Sequence, residues 1–264
     1  MSAIQDWAAI EPTVAPHVEP DLKVSFLGLL YDRTTIDGVV TRLLARPSEA
    51  PFASVVTPNA AHLSRIDGDP SRYAAPYRNA WLCLNDSRVV EILGRTCGVA
   101  IEAAPGSDLV AALLSDPRLE RDSRILLVGG DKTLFEDLKA KAGLTGALHY
   151  EAPMGLATNE NALAETVAYI ETHPARFVLL AVGSPQQEFI AEALRSGGRA
   201  TGVGLCVGAA VEFLTDRRRR APGWMSRSGL EWLFRLVSEP RRMWRRYLVD
   251  SPAVLRLYLR HILR

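Results

Sequence analysis

Residues 124–142 read RILLVGGDKTLFEDLKAKA. A short, nearly apolar run meets Gly129 and Gly130, and a longer mixed run follows. That is the signature of a strand covered on both faces, a tight turn and a helix. The order repeats at 177–195, FVLLAVGSPQQEFIAEALR. Working outward, short apolar runs at 24–29, 53–57, 80–84, 124–128, 177–182 and 200–205 are expected strands. Helices are expected at 34–46, 60–66, 87–95, 108–115, 132–142, 159–172 and 186–195, with Ser107 as N-cap of the fourth. Strand–helix alternation of this kind argues for an α/β fold, a Rossmann-like, mostly parallel sheet flanked by helices.

In open α/β sheets ligands bind at the carboxyl ends of strands. Four such ends carry chemistry here: Thr57-Pro58-Asn59, Asn85-Asp86-Ser87, Val128-Gly129-Gly130 and Gly183-Ser184-Pro185-Gln186-Gln187-Glu188. The Gly129-Gly130 turn lacks the Walker and dinucleotide patterns and reads first as a plain βα turn; its amides also suit a phosphate at the helix N-terminus. By spacing alone Asp86 suits equally a helix cap or a general base. Gln187 and Glu188 suit either a solvated first turn or hydrogen bonding to a sugar or base. Asp67-Gly68-Asp69 reads as a solvated turn. The five His are scattered, no Cys/His cluster has ligand spacing, and no metal site is expected.

The chain's net charge of +1 hides a division. Residues 217–264 hold thirteen Arg, no Lys and three acids, about +10, and the remainder is about −9. Such asymmetry points to an anionic partner: phosphate, nucleic acid or lipid headgroups. The segment also holds three of the five Trp, so it is more than a solvated charge run. Leu230, Leu233, Phe234 and Val237 make one apolar helical face. Ser251-Pro252 starts a further helix, with Arg256, Arg260 and Arg264 as a basic stripe suited to a membrane interface. Three domains follow: a loose leader over 1–22, an α/β unit over 23–216 and an arginine-rich helical appendage over 217–264. The 264 residues include no run of eighteen apolar residues, no signal-peptide pattern, and three cysteines in apolar contexts, which suits buried, reduced thiols in a cytosolic setting.

These segments together resemble the WecG/TagA/CpsF family, glycosyltransferase family 26. Thr57-Pro58-Asn59, Asp86, Gly106-Ser107-Asp108, Gly183 to Glu188 and the tail pieces RAPGW, GLEW, RL, EPRR and RRY carry the likeness over roughly residues 50–250. The resemblance implies an inverting transfer from a UDP-sugar to a polyprenyl-diphosphate-linked saccharide at the cytoplasmic membrane face, in cell-wall, capsule or exopolysaccharide synthesis. It implies Asp86 as general base with Thr57 and Asn59 beside it. Gly106, Ser107, Gly129, Gly130, Gln187 and Glu188 are candidate substrate-binding residues, and Arg235, Arg242 and Arg245 are implied to close over the donor diphosphate. No cofactor is expected beyond the UDP-sugar substrate, and an oligomer is possible. The chain departs from the family pattern at Ser87, at Ala103 (often Arg), at Gly208 to Glu212 and at Gln186 (usually Lys). These departures surround the expected donor pocket and leave N-acetylmannosamine, its uronic acid and glucose open as donors. The alternative is a non-enzymatic nucleic-acid-binding α/β protein with a basic tail; the aromatics follow helical core spacing rather than a stacking platform.

Overall fold

A computed structural model describes residues 23–218, 225, 231–238, 240–245 and 253–263. The leader expected over 1–22 and the Ser251-Pro252 cap lie outside the described residues, as does Arg264.

The chain enters through an antiparallel hairpin, β1 (Lys23–Phe26) and β2 (Leu29–Asp32). This corrects the single strand expected over 24–29. Leu27 and Gly28 both have positive φ, 48° and 84°, which is the backbone of a two-residue hairpin turn. The apolar run VSFLGL conceals it, because Leu27 is itself buried.

The main sheet has six parallel strands in the order β4-β3-β8-β7-β5-β6. They are β3 (Ala53–Val56), β4 (Leu82–Cys83), β5 (Ile125–Val128), β6 (Ala147–Tyr150), β7 (Phe177–Leu180) and β8 (Val203–Cys206). Strand pleating sends alternate residues to opposite faces. Val56, Leu126, Val128, Val178, Leu180 and Cys206 join one core. Val55, Leu82, Ile125, Leu127, Phe177, Leu179 and Leu205 join the other. Each core is closed by helices, which is why the strands read as continuous apolar runs. β6 was not expected. It is an edge strand, all four residues are half-buried, and ALHY carries no apolar run.

The hairpin, α2 (Ala60–Gly68), α8 (Glu160–Thr172) and α9 (Gln186–Gly197) cover the first face. On the second lie α1 (Ile36–Ala45), α6 (Gly106–Ser115), α7 (Lys132–Ala142) and α10 (Ala210–Leu214). Two short helices, α3 (Pro70–Tyr73) and α4 (Ala75–Arg78), and α5 (Arg88–Thr96) complete the α/β unit. Asp69 caps α3, so the Asp67-Gly68-Asp69 stretch is a helix-to-helix junction.

Among the described residues of the arginine-rich segment are the helices Glu231–Ser238, Pro240–Arg245 and Ala253–Ile262. The last is docked on the α/β unit. Val254 is buried, the Tyr258 and Thr96 hydroxyls are 2.6 Å apart, and His261 meets the Phe26 ring edge-on at 5.1 Å. Arg260 pairs with Asp67 of α2. Leu255, Leu259 and Ile262 remain about half exposed. No helix of the described residues is long and apolar enough to cross a membrane.

Candidate active site

Parallel pairing brings the carboxyl ends of β4, β3, β8 and β7 side by side, in that order. The expected site residues Asp86, Thr57, Gln187 and Glu188 all follow one of these ends, and Gly129 and Gly130 follow β5 next along. Thr57 is buried and donates its hydroxyl to the Cys206 carbonyl at 3.2 Å, stitching β3 to β8. Asn59 caps α2: its Oδ1 accepts the Ala61 amide at 3.1 Å, and its own amide donates to His62 Nδ1 at 3.0 Å. His62 is therefore part of a capping box, and its Nδ1 is an unprotonated acceptor there.

Asp86 is half-buried and is not the cap of α5. That role falls to Ser87, whose hydroxyl accepts the Val90 amide at 3.3 Å. The buried Asn85 braces the turn. Its side chain accepts the Ser87 amide and donates to the Ser87 carbonyl, both at 3.0 Å. Its carbonyl accepts the Ala104 amide at 2.7 Å, which draws the segment leading into α6 alongside β4. Ala103, where the family pattern often has Arg, donates its amide to Glu91 Oε2 at 3.2 Å. The same oxygen holds Arg88 Nη1 at 2.6 Å, and Arg95 takes the other oxygen. A guanidinium thus stands near Ala103 from a position that no motif marked.

The helix expected at 108–115 with Ser107 as cap instead begins at Gly106, with Pro105 in the cap position. Proline fixes φ in a helix-compatible range and offers no side-chain acceptor, so the helix starts two residues early and uncapped. Gly106 packs closely on the site: a Cβ there would lie 3.1 Å from Thr57 Oγ1, so that side chain would have to give way slightly. Helices α1, α2, α5, α7 and α8 each have a side-chain cap; α6 and α9, whose N-termini lie at this edge, have none. Uncapped first-turn amides at the positive end of a helix suit an anion.

Gln187 and Glu188 are both buried, which replaces the solvated-turn reading. Gln187 Nε2 donates to Glu188 Oε1 at 2.8 Å, and Gln187 Oε1 accepts the Gly208 amide at 2.8 Å. The pair braces the loop after β8 against α9. Burial pushes the Glu188 carboxyl pKa up, against the Gln187 hydrogen bond and the nearby Ser184 hydroxyl, which lower it. Burial likewise raises the Cys83 and Cys206 thiols.

Gly129 and Gly130 are held in the left-handed region, which favours glycine. Their φ values are 97° and 69°, and a Cβ would meet Val182 Cγ1 at 2.8 Å and Leu134 Cδ2 at 2.5 Å respectively. The following helix is capped by Asp131, whose carboxyl is held below its ordinary range by the Leu134 amide and then by Arg217. Arg217 also reaches Asp137 at 3.0 Å. Arg235, Arg242 and Arg245 lie on the helices Glu231–Ser238 and Pro240–Arg245; their side chains lie outside the described residues, as does the RAPGW segment.

An open parallel sheet with a carboxylate and two uncapped helix N-termini at its strand ends defines an α/β protein with its ligand crevice there. The chain belongs to the glycosyl transferase WecG/TagA/CpsF family, whose model matches residues 24–264. Membership implies sugar transfer in cell-wall polymer synthesis, with a sugar-nucleotide donor and a lipid-linked acceptor in general terms. It selects the transferase reading over the nucleic-acid alternative.

Proposed function

We propose that this chain transfers a hexosyl group, with inversion and without a metal ion, from a UDP-sugar to a hydroxyl of a polyprenyl-diphosphate-linked saccharide. The observation that carries the reading is the Asp86–α6 juxtaposition. The Asn85–Ala104 hydrogen bond sets a carboxylate that is not the helix cap beside the uncapped N-terminus of α6. In this reading Asp86 takes the proton of the acceptor hydroxyl as its oxygen bonds to the anomeric carbon and the bond to UDP breaks. Thr57 and Asn59 line the same edge. The charge gathering on the departing diphosphate is met by the Gly106 and Ser107 amides and by Arg235, Arg242 and Arg245 from the tail. The half-exposed Leu255, Leu259 and Ile262, with exposed Arg256 alongside, support a peripheral position on the inner face of the membrane.

The test is a screen of UDP-sugars against a short-chain lipid-diphosphate acceptor. Asp86→Asn should lower turnover by about 10²–10⁴-fold, the usual range for a general base, while UDP affinity changes little. Retention of turnover within a few-fold of wild type would remove Asp86 from the mechanism.

A further inference from the structure

Arg65, at the end of α2, and Arg72, in α3, flank one ring. Their Cζ atoms lie 5.8 and 5.4 Å from the Tyr73 centroid. Tyr73 is stacked on Phe189 of α9, 5.9 Å between centroids and 10° between planes. Each guanidinium is held by one hydrogen bond among those described. Arg65 Nη1 donates to Ser184 Oγ at 2.8 Å, and Arg72 Nη2 donates to the Ala157 carbonyl at 3.2 Å. A guanidinium has five N–H donors, so most remain for a ligand.

The nearby carboxyls, Asp69 by Arg72 and Glu188 by Arg65, feel this charge without closing an ion pair on it. Among the described residues neither Arg65 nor Arg72 forms an ion pair, unlike Arg88, Arg95, Arg195 and Arg217. Glu188, near Arg65, is kept toward its neutral form by burial. The Asp69 carboxylate is turned to the Ser71 hydroxyl at 2.6 Å and to the Arg72 backbone amide at 3.1 Å. Cation–π contact with Tyr73 steadies the two side chains without neutralising them. The ring and its hydrogen bonds fix their orientation, so little side-chain entropy is left to lose on binding.

The place of the pair narrows the ligand. On one side, Ser184 belongs to the crevice after β7. On the other, α2 carries Asp67, which holds Arg260 of the C-terminal helix with its half-exposed leucines. The loop that holds Arg72 through Ala157 also presents Met154, 93% exposed. A dication stands between a polar crevice and exposed apolar side chains. We infer that Arg65 and Arg72, gathered on Tyr73, form a second anion site that binds the diphosphate of a prenyl-linked acceptor, with the hydrocarbon leading toward the C-terminal helix and the sugar toward Asp86. Naming the acceptor rests on the transferase reading; the anion site does not.

Farnesyl diphosphate, farnesol and UDP, titrated calorimetrically into the full chain, test it. Farnesyl diphosphate should bind and farnesol should not. Arg65→Ala and Arg72→Ala should each weaken farnesyl diphosphate by about tenfold, the scale of one lost charge-assisted contact, and UDP affinity should stay within about twofold. Arg65→Lys, which keeps the charge, should recover part of the loss, and the exposed Arg72 gives a variant whose folding is not at stake. The inference is overturned if wild type does not bind farnesyl diphosphate, if the double alanine variant binds it normally, or if UDP weakens in parallel, which would assign the pair to the donor. Absence of turnover with every UDP-sugar, alongside intact Arg-dependent farnesyl diphosphate binding, would sink the transferase reading and leave the anion site standing.

Discussion

Glu188→Gln isolates the one carboxyl that the crevice holds in the wrong medium for its charge. Its residue exposure is 2%, Oε1 accepts Gln187 Nε2 at 2.8 Å, and the buried Oε2 has no hydrogen-bond partner among the described residues. Burial raises its pKa from the ordinary 4.5, so the folded protein holds a proton that the unfolded chain releases. A raised folded value gives stability that is complete below the unfolded pKa. That stability is lost as pH climbs toward the folded value, by at most about 1.4 kcal/mol per pH unit for one proton. The amide of Gln has nothing to titrate and still offers its oxygen to Gln187. The difference in stability between variant and wild type should therefore be flat below about pH 4.5. Above that it should grow in favour of the variant, with melting temperatures separating by roughly 2–4 °C per kcal/mol. Urea midpoints for both proteins at half-unit steps from pH 4 to 8 measure this, and the subtraction cancels every other titrating group. A pH-independent difference, or one that grows in favour of wild type, would show that Glu188 is charged in the fold and refute the reasoning.

Other expectations follow from contacts. Gly202 has φ 83°, and a Cβ there would lie 2.2 Å from the Ala175 carbonyl oxygen. Gly202→Ala should cost about 3 kcal/mol or more in denaturant unfolding, through strain and overpacking together. Gly98→Ala, at φ 70° with open space around it, should cost only about 1–2 kcal/mol. Val254→Ala should loosen the C-terminal helix and raise amide exchange across 253–263, whereas Asp67→Ala, which removes a partly exposed ion pair, should change stability by less than about 1 kcal/mol. Leu255→Asp with Leu259→Asp should abolish sedimentation with anionic vesicles and leave UDP binding unchanged; undiminished sedimentation would mean that this face does not meet lipid.

The sheet was legible because buried parallel strands are apolar throughout. The run expected at 124–128 forms the strand Ile125–Val128 and the helix at 132–142 appears as read, with Gly143 ending it in a left-handed cap. Legibility failed where burial was partial or a turn was apolar, as at the edge strand Ala147–Tyr150 and the Leu27-Gly28 turn. The helices α3 and α4 are four residues each, too short for a helical period to register. At the site, the residue types at the strand ends could be read, but their state could not. Whether Gln187 and Glu188 face solvent or each other is decided by Gly208, twenty-one residues away. The Tyr73–Phe189 stack that gathers Arg65 and Arg72 likewise joins α3 to α9, a contact that no local pattern encodes.

The charge division takes a different meaning in three dimensions. A tail at about +10 on a body at about −9 first implies an outside anion. Yet Arg217 is held by Asp131 and Asp137, Arg218 by Glu212, and Arg260 by Asp67. Those acids lie on α7, α10 and α2, so part of the body's negative surplus serves to seat both ends of the tail. Pairs this exposed contribute little stability one by one, and their value is in register. They fix where the segment leaves the sheet, above α7, and where its last helix returns, against α2. Arg235, Arg242 and Arg245 are carried on the chain between those two anchors. Arg65 and Arg72 are among the body's cations that form no ion pair among the described residues, and they lie beside the return point on α2. The proposed reaction brings together two diphosphates, one on each reactant, and so calls for two separate groups of cations; the tail and the α2–α3 corner are the two groups proposed for them, from opposite parts of the sequence.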